Sequence, residues 1–150
     1  MPEAPAARGL TEQAVRALAE QWYAALDRHD ELGEMTKFVV DHGLVMRFPE
    51  GTFRGQAGFA EWYAAVSHRF FDEKHTVAGT RTVIDGAHAR IRVRVNWQAR
   101  TWQPPAARSE WLGFDADQTW IVVAGRNGEA PRIKSYICNV LEPMPGSAAL

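Results

Sequence analysis

His75 is the side chain best suited to move a proton, because an imidazole of ordinary basicity changes charge between about pH 5 and 8. It stands in the run Phe71-Asp72-Glu73-Lys74-His75-Thr76-Val77, where a helical pattern gives way to an alternating one. A core-facing Val77 then aims His75 inward by the two-residue period of a strand. The alternative is a strand-edge histidine that meets water or a backbone carbonyl. Asp117 alternates with Thr119, Ile121 and Val123. If that face is the core, burial favours the protonated carboxyl and makes Asp117 a partner for His75 in acid–base work. If it is not, Asp117 meets water or pairs with Arg92 or Arg94 across the sheet. Tyr23 offers either a hydroxyl to orient a substrate oxygen or a ring to pack beside Trp62.

Around these three stand side chains suited to holding a ligand. Trp22, Trp62 and Trp97 fall on faces expected to point inward, so a cavity between them is aromatic and favours a hydrophobic or planar molecule. Trp111 and Trp120 are expected to cover the sheet or a dimer contact. Ser135 and Asn139, in phase with Ile133 and Ile137, offer hydrogen bonds to a ligand or to each other. Asp27 and Asp30 lie where the first two helices meet, and a helix-capping role accounts for Asp30. The remaining histidines, His29, His42, His68 and His88, are at helix ends, a strand start or beside a turn, where exposure is the default. Arg90, Arg92 and Arg94 read as a solvated or dimer-facing stripe, and the lone Cys138 as a core residue.

No His, Cys, Asp and Glu set has metal-site spacing. The nearest, Asp72-Glu73-Lys74-His75, interposes a lysine and spans a change of element. There is no glycine-rich phosphate loop and no Gly-x-Ser-x-Gly elbow, so no cofactor, nucleotide or metal, is expected.

The elements that must position these groups follow from periodicity. Thr11 is a plausible N-cap, and Val15, Leu18, Trp22, Ala25 and Leu26 recur at helical spacing as far as Asp27–Asp30. A shorter helix, capped by Asp30 and weakened by Gly33, carries Leu32, Met35 and Val39. Residues 43–48 read as a strand stopped by Pro49, and 50–55 as a turn or tight hairpin. Phe59, Trp62, Tyr63, Val66 and Phe70 then mark a third helix. From His75 the period changes to two: 75–84, a turn at Asp85-Gly86, 88–100, then 111–124, a turn at Asn127-Gly128, and a last strand from Pro131 through Leu141. Helices first and long antiparallel strands afterwards give an α+β layer packing.

A chain of 150 residues, 46% hydrophobic and 23% charged, is long enough for one core. We assign residues 11–142 to a single domain, with 1–10 and 143–150 expected to be flexible tails. Seventeen basic against eighteen acidic residues give a net charge of -1, which argues against nucleic acid as a partner. The first ten residues resemble no export leader and no segment reaches membrane-spanning length, so a cytoplasmic protein without membrane partners is expected.

The order of elements, with WYAALDRHD closing the first helix, FPEGTFRGQAGFAEWY from first strand to third helix, and VIDGAHARIRVRV across the hairpin, resembles the nuclear-transport-factor-2-like superfamily. More narrowly, it is similar to the SnoaL-like, ketosteroid-isomerase-like and scytalone-dehydratase-like branches, over roughly residues 11–142. That resemblance implies a cone of three helices over a strongly curved, mostly antiparallel sheet, an apolar pocket, and a homodimer packed through the sheet. It spans cyclases, dehydratases, isomerases, epoxide hydrolases and members without catalysis. The isomerase pattern places Trp22 at a Tyr position, Met46 at the position of the base and Asp117 at a late-strand Asp. Met46 cannot take a proton, so Trp22 and Met46 are assigned to substrate contact and the usual isomerase route is set aside. The dehydratase pattern matches better at His75, with Tyr23 and Asp27 or Asp30 in the right segment; the second histidine of that pattern is absent, Asn96, Trp97 and Gln98 standing there.

The reading that results is a cofactor-independent lyase, cyclase or isomerase acting on a hydrophobic, polyketide-like or terpenoid-like molecule. His75 is the general acid/base, Asp117 its partner and Tyr23 the orienting group. Trp22, Asp27, Met46, Trp62, Trp97, Ser135 and Asn139 are the substrate contacts. The competing reading is a pocket protein or dimeric interaction module of the same fold without chemistry.

Overall fold

Thr11 opens the first helix: its backbone is extended and its hydroxyl accepts the Ala14 N–H at 3.0 Å, satisfying one of the donors a helix start leaves free. The computed structural model describes residues 10–150, so the expected N-terminal tail lies, but for Leu10, outside the described residues. Helix α1 (Glu12–Arg28) buries the expected stripe and Tyr23 with it, and ends at His29 in the left-handed region with φ 54°. Helix α2 (Leu32–Met35) is one turn, continued by a 3-10 turn over Thr36–Phe38. Its N-cap is Glu31 and not Asp30, whose two carboxylate oxygens accept from the Arg28 guanidinium instead. Val39, expected on this helix, forms a parallel bridge with Ile133 instead.

Strands β1 (Val45–Phe48) and β2 (Gly51–Arg54) make the tight hairpin, and helix α3 (Gly55–Arg69) follows without a spacer. That corner requires φ +67° at residue 55, a conformation glycine adopts freely. The long strands β3 (Phe71–Asp85), β4 (His88–Thr101), β5 (Glu110–Val123) and β6 (Arg132–Pro143) complete an open, mixed six-stranded sheet in the order β2-β1-β6-β5-β4-β3. Only the β1–β6 pairing is parallel. The β3–β4 turn residues are Gly86-Ala87, one position later than expected, and only Gly86 has a positive φ.

The helices cover one sheet face. Trp22 is fully buried at the centre of an aromatic cluster with Phe38, Phe59, Trp62, Trp120 and Tyr136, stacked on Trp62 at 6.1 Å. The phase of the last two strands differs from expectation. On β5 the inward residues are Leu112, Phe114, Ala116, Gln118, Trp120 and Val122, so Trp120 is core and Asp117 points outward. On β6 the register shifts between the pairs Ile121–Ser135 and Val122–Ile133, and the extra residue turns Tyr136 and Cys138 inward and Ser135, Ile137 and Asn139 outward. The segment after β6, expected as a tail, lies against the sheet. Met144 N–H donates to the Gly113 carbonyl at 2.8 Å and Ala148 N–H to that of Trp111 at 3.0 Å, which holds it along the start of β5.

Candidate active site

Asp27 is the penultimate residue of α1, and β3 runs past it. Its Oδ2 accepts the backbone N–H of His75 at 2.9 Å, and its Oδ1 lies 2.6 Å from His75 Nδ1. One carboxylate thereby fixes both the strand and the ring. An ionised Asp27 requires the proton on Nδ1, and in the neutral ring Nε2 then carries the lone pair. Among the described residues Nε2 has no hydrogen-bond partner, and His75 lines a cavity. The imidazole, 10% exposed, is slotted between Tyr23 at 4.9 Å and Trp97 at 6.3 Å, both stacked. That slot leaves the ring little freedom to rotate away from Asp27.

A second polar group faces the same space. Gln118 is buried on the inward face of β5, and its Oε1 accepts the Tyr23 hydroxyl at 2.7 Å and the Trp120 indole N–H at 3.1 Å. An indole N–H only donates, so the carbonyl end must face it. The amide NH₂ is left as a pair of donors, and Gln118 lines the cavity with His75. Burial pushes the Tyr23 phenol well above its ordinary value and Tyr136 up to about 12. Both phenols are therefore neutral near physiological pH. Burial also pushes the Cys138 thiol up to about 11, which keeps it from acting as a thiolate nucleophile.

The cavity holds about 410 Å³, within the range of sites for drug-sized molecules. Phe48, Trp62, Phe70 and Trp97 supply aromatic walls, and Glu50, Arg69, Glu73, His75 and Gln118 are the charged and amide groups among the largely apolar lining. Of the expected contacts, Trp62 and Trp97 line it. Trp22 and Met46 are fully buried and absent from its wall, because the aromatic cluster fills the space in front of them. Tyr23 packs on His75 and holds Gln118 without reaching the wall itself. Asp27 stands behind His75.

Three expected site residues lie on the other sheet face. Asp117 accepts the Arg92 guanidinium at 2.7 Å and has no contact with His75, since its strand phase turns it outward; Asp27 occupies the place expected of it. Asn139 donates to Thr119 Oγ1 at 2.8 Å on that face, and Ser135 shares its phase. Gln118 and Glu73 escaped the sequence reading. A signal for Gln118 existed: it is the one polar side chain in the apolar alternation Ala116, Gln118, Trp120, Val122. Among the described residues no cluster of three His, Cys, Asp or Glu side chains is arranged to hold a metal ion.

No protein-family model matches the sequence, and no curated protein does. Solved structures do match. Hexachlorocyclohexane dehydrochlorinase LinA-type3 from Novosphingobium barchaimii LL02 superposes with a TM-score of 0.70 at 15% identity, over 92% of this chain and 92% of that one. A hexachlorocyclohexane dehydrochlorinase (LinA) Type2 gives 0.71 at 14% identity, over 92% and 91%. A nuclear transport factor 2 (NTF2-like) superfamily protein from Salmonella enterica serovar Typhimurium gives 0.68 at 15% identity, over 91% of both chains. The chain has the NTF2-like fold. At such identities the likeness concerns the fold alone, and an NTF2-like fold carries many chemistries.

Proposed function

We propose that this protein is a cofactor-independent lyase or isomerase that takes a proton from carbon in a hydrophobic, carbonyl-bearing small molecule. The observation that carries this reading is the Asp27–His75 pair on the wall of an aromatic cavity, with Nε2 unpartnered. Asp27 orients the imidazole and stabilises the imidazolium once Nε2 has accepted the proton. The Gln118 amide, locked by two donors on its oxygen, offers N–H groups to the oxygen on which charge develops. Removal of hydrogen and chloride, the reaction named for the two dehydrochlorinases above, is one form of such base-promoted elimination. Polyketide-like and terpenoid-like molecules suit the aromatic walls, and cyclisation through an enolate uses the same base. The reading places the cavity inside a cone of three helices over a curved sheet, in a cytoplasmic homodimer joined through the outer sheet face.

The test uses deuterium exchange into hydrophobic aryl and cyclic ketones, read by proton NMR, together with chloride release from hexachlorocyclohexane. His75→Ala is expected to lower any catalysed rate by about 10²-fold or more while the far-ultraviolet spectrum stays native. An unchanged rate in a folded variant removes His75 as the base. Stoichiometric binding of these molecules with no exchange or elimination points instead to a binding protein.

A further inference from the structure

Two residues before His75, on the same face of β3, Glu73 lines the same cavity. Its side chain is only 8% exposed, and each oxygen has one partner: Oε1 accepts the Trp97 indole N–H at 3.0 Å, and Oε2 lies 2.5 Å from His29 Nε2. A carboxyl group buried to this degree persists because it is paired. His29 is 30% exposed on its side chain, so the pair reaches from the cavity wall to solvent.

Two backbone features set this arrangement. Among the described residues only three non-glycine residues have positive φ, and two of them flank the pair: His29 itself (54°) and Asp72 (51°). The β3–β4 register also slips here, between Phe71 and Lys74. Continued from Phe71 without that bulge, the alternation would turn Glu73 and His75 outward; with it, both face the cavity. The left-handed turn at His29 is the ordinary end of helix α1, and the one-residue bulge is what aims Glu73 and His75 at the cavity.

We propose that Glu73 is a second proton-transfer group of this site, the acid that protonates a leaving oxygen, with His29 as the relay that restores its proton from water. This rests on the reading of His75 as the base. Glu73 and His75 are about 7 Å apart along the strand, room for one C–C bond with a hydrogen bond on either side. His75 Nε2 takes the C–H proton, the freed electron pair forms C=C, and the neighbouring C–O bond breaks. The leaving oxygen takes the proton shared by Glu73 and His29 and departs as water. His29 then passes a solvent proton to Glu73, and His75 returns its own to solvent. A halide departs as a stable anion and needs no acid, so the pair selects a hydrophobic β-hydroxycarbonyl compound whose carbonyl is held by Gln118.

Two probes with one carbon skeleton separate the roles. 4-Hydroxy-4-phenylbutan-2-one must expel water, whereas its acetate ester expels a stable carboxylate. Both yield 4-phenylbut-3-en-2-one, read by its ultraviolet absorbance. His75→Ala is expected to suppress both eliminations, and Glu73→Gln to slow the alcohol at least about thirtyfold more than the ester. Equal losses on the two probes overturn the acid role. If the wild-type protein eliminates neither probe, the base reading fails for this substrate class, and a measurement without substrate decides on Glu73. The low-field proton NMR spectrum of the full chain is then expected to hold two resonances from short N–H–O bonds. One is lost in Asp27→Asn. The other is lost in both Glu73→Gln and His29→Gln, and exchanges with water about tenfold or more faster than the first. No second resonance, or one that exchanges as slowly as the first, overturns the proposal.

Discussion

The role proposed for Asp27 rests on two hydrogen bonds that a single isosteric change tests. In Asp27→Asn the amide nitrogen donates where the carboxylate accepted, and a donor facing Nδ1 forces the proton onto Nε2. The wrong tautomer then faces the substrate, and proton abstraction is expected to fall by about 10²-fold or more with the fold intact. Exchange measured on the same ketones as for His75→Ala checks this; a rate within about threefold of wild type removes Asp27 from the mechanism. Gln118 also has a structural role apart from the one proposed for its amide. Gln118→Leu leaves the buried Tyr23 hydroxyl and Trp120 indole N–H without their acceptor, at a cost of about 1–3 kcal/mol for each stranded group. Urea denaturation reads that loss, and a variant as stable as wild type would mean that the two donors find another acceptor.

Among the elements, strand β3 positions His75, while β5 and β6 decide which polar residues share its cavity. The turn that joins the last two is close-packed: a Cβ on Gly125 would sit 2.2 Å from the Ala130 carbonyl oxygen and 2.4 Å from that of Glu129. Both contacts are to backbone, so relief requires the turn itself to move. Gly125→Ala is expected to lose about 1–3 kcal/mol of stability, again by urea denaturation. Retention of full stability would show that the 123–132 connection is loose. The bulges matter more for function, because one inserted residue exchanges the two faces of a strand. On β6 that exchange brings Tyr136 and Cys138 to the cavity and removes Ser135 and Asn139 from it.

Taken whole, the molecule buries protonated groups that would ionise in the unfolded chain. Tyr136 is held up to about 12 against an ordinary 10.0, and Cys138 up to about 11 against 9.0, burial being the largest cause in each. Between the ordinary and raised values the folded state binds more protons than the unfolded state, so stability falls as pH rises. The contribution is complete below about pH 9 and lost by about pH 12. Urea midpoints measured across that window are expected to decline, and Tyr136→Phe to flatten the decline; an unaltered slope in that variant would falsify the assignment. The outer sheet face bears Val83, Val140 and the Arg90–Arg92–Arg94 row beside Asp117. If it is the dimer surface, sedimentation equilibrium gives twice the chain mass and Val140→Glu shifts it to the monomer. A wild-type monomer at all concentrations sinks that assembly.

Whatever depends on neighbours along the chain is written in the residue order. The Thr11 cap, the helical stripes of α1 and α3, the alternation of β4 and the turn near Gly86 are local physics, legible from residue spacing. The inward direction of His75 was legible too, because it stands two residues before Val77 where the period changes from helix to strand. Tertiary structure decided what depends on register. Asp117 and Gln118 are adjacent, and only the pairing of β5 with its neighbours says which one meets the cavity. Asp27 and His75 are 48 positions apart and Glu73 and His29 are 44 apart. No local pattern predicts such contacts, because they arise only when the helix end is packed against the bulged strand. The same is true of the docked segment after β6, whose hydrogen bonds to Gly113 and Trp111 come from a strand about thirty residues earlier. Spacing names the residues able to do chemistry; packing and strand register choose which of them meet.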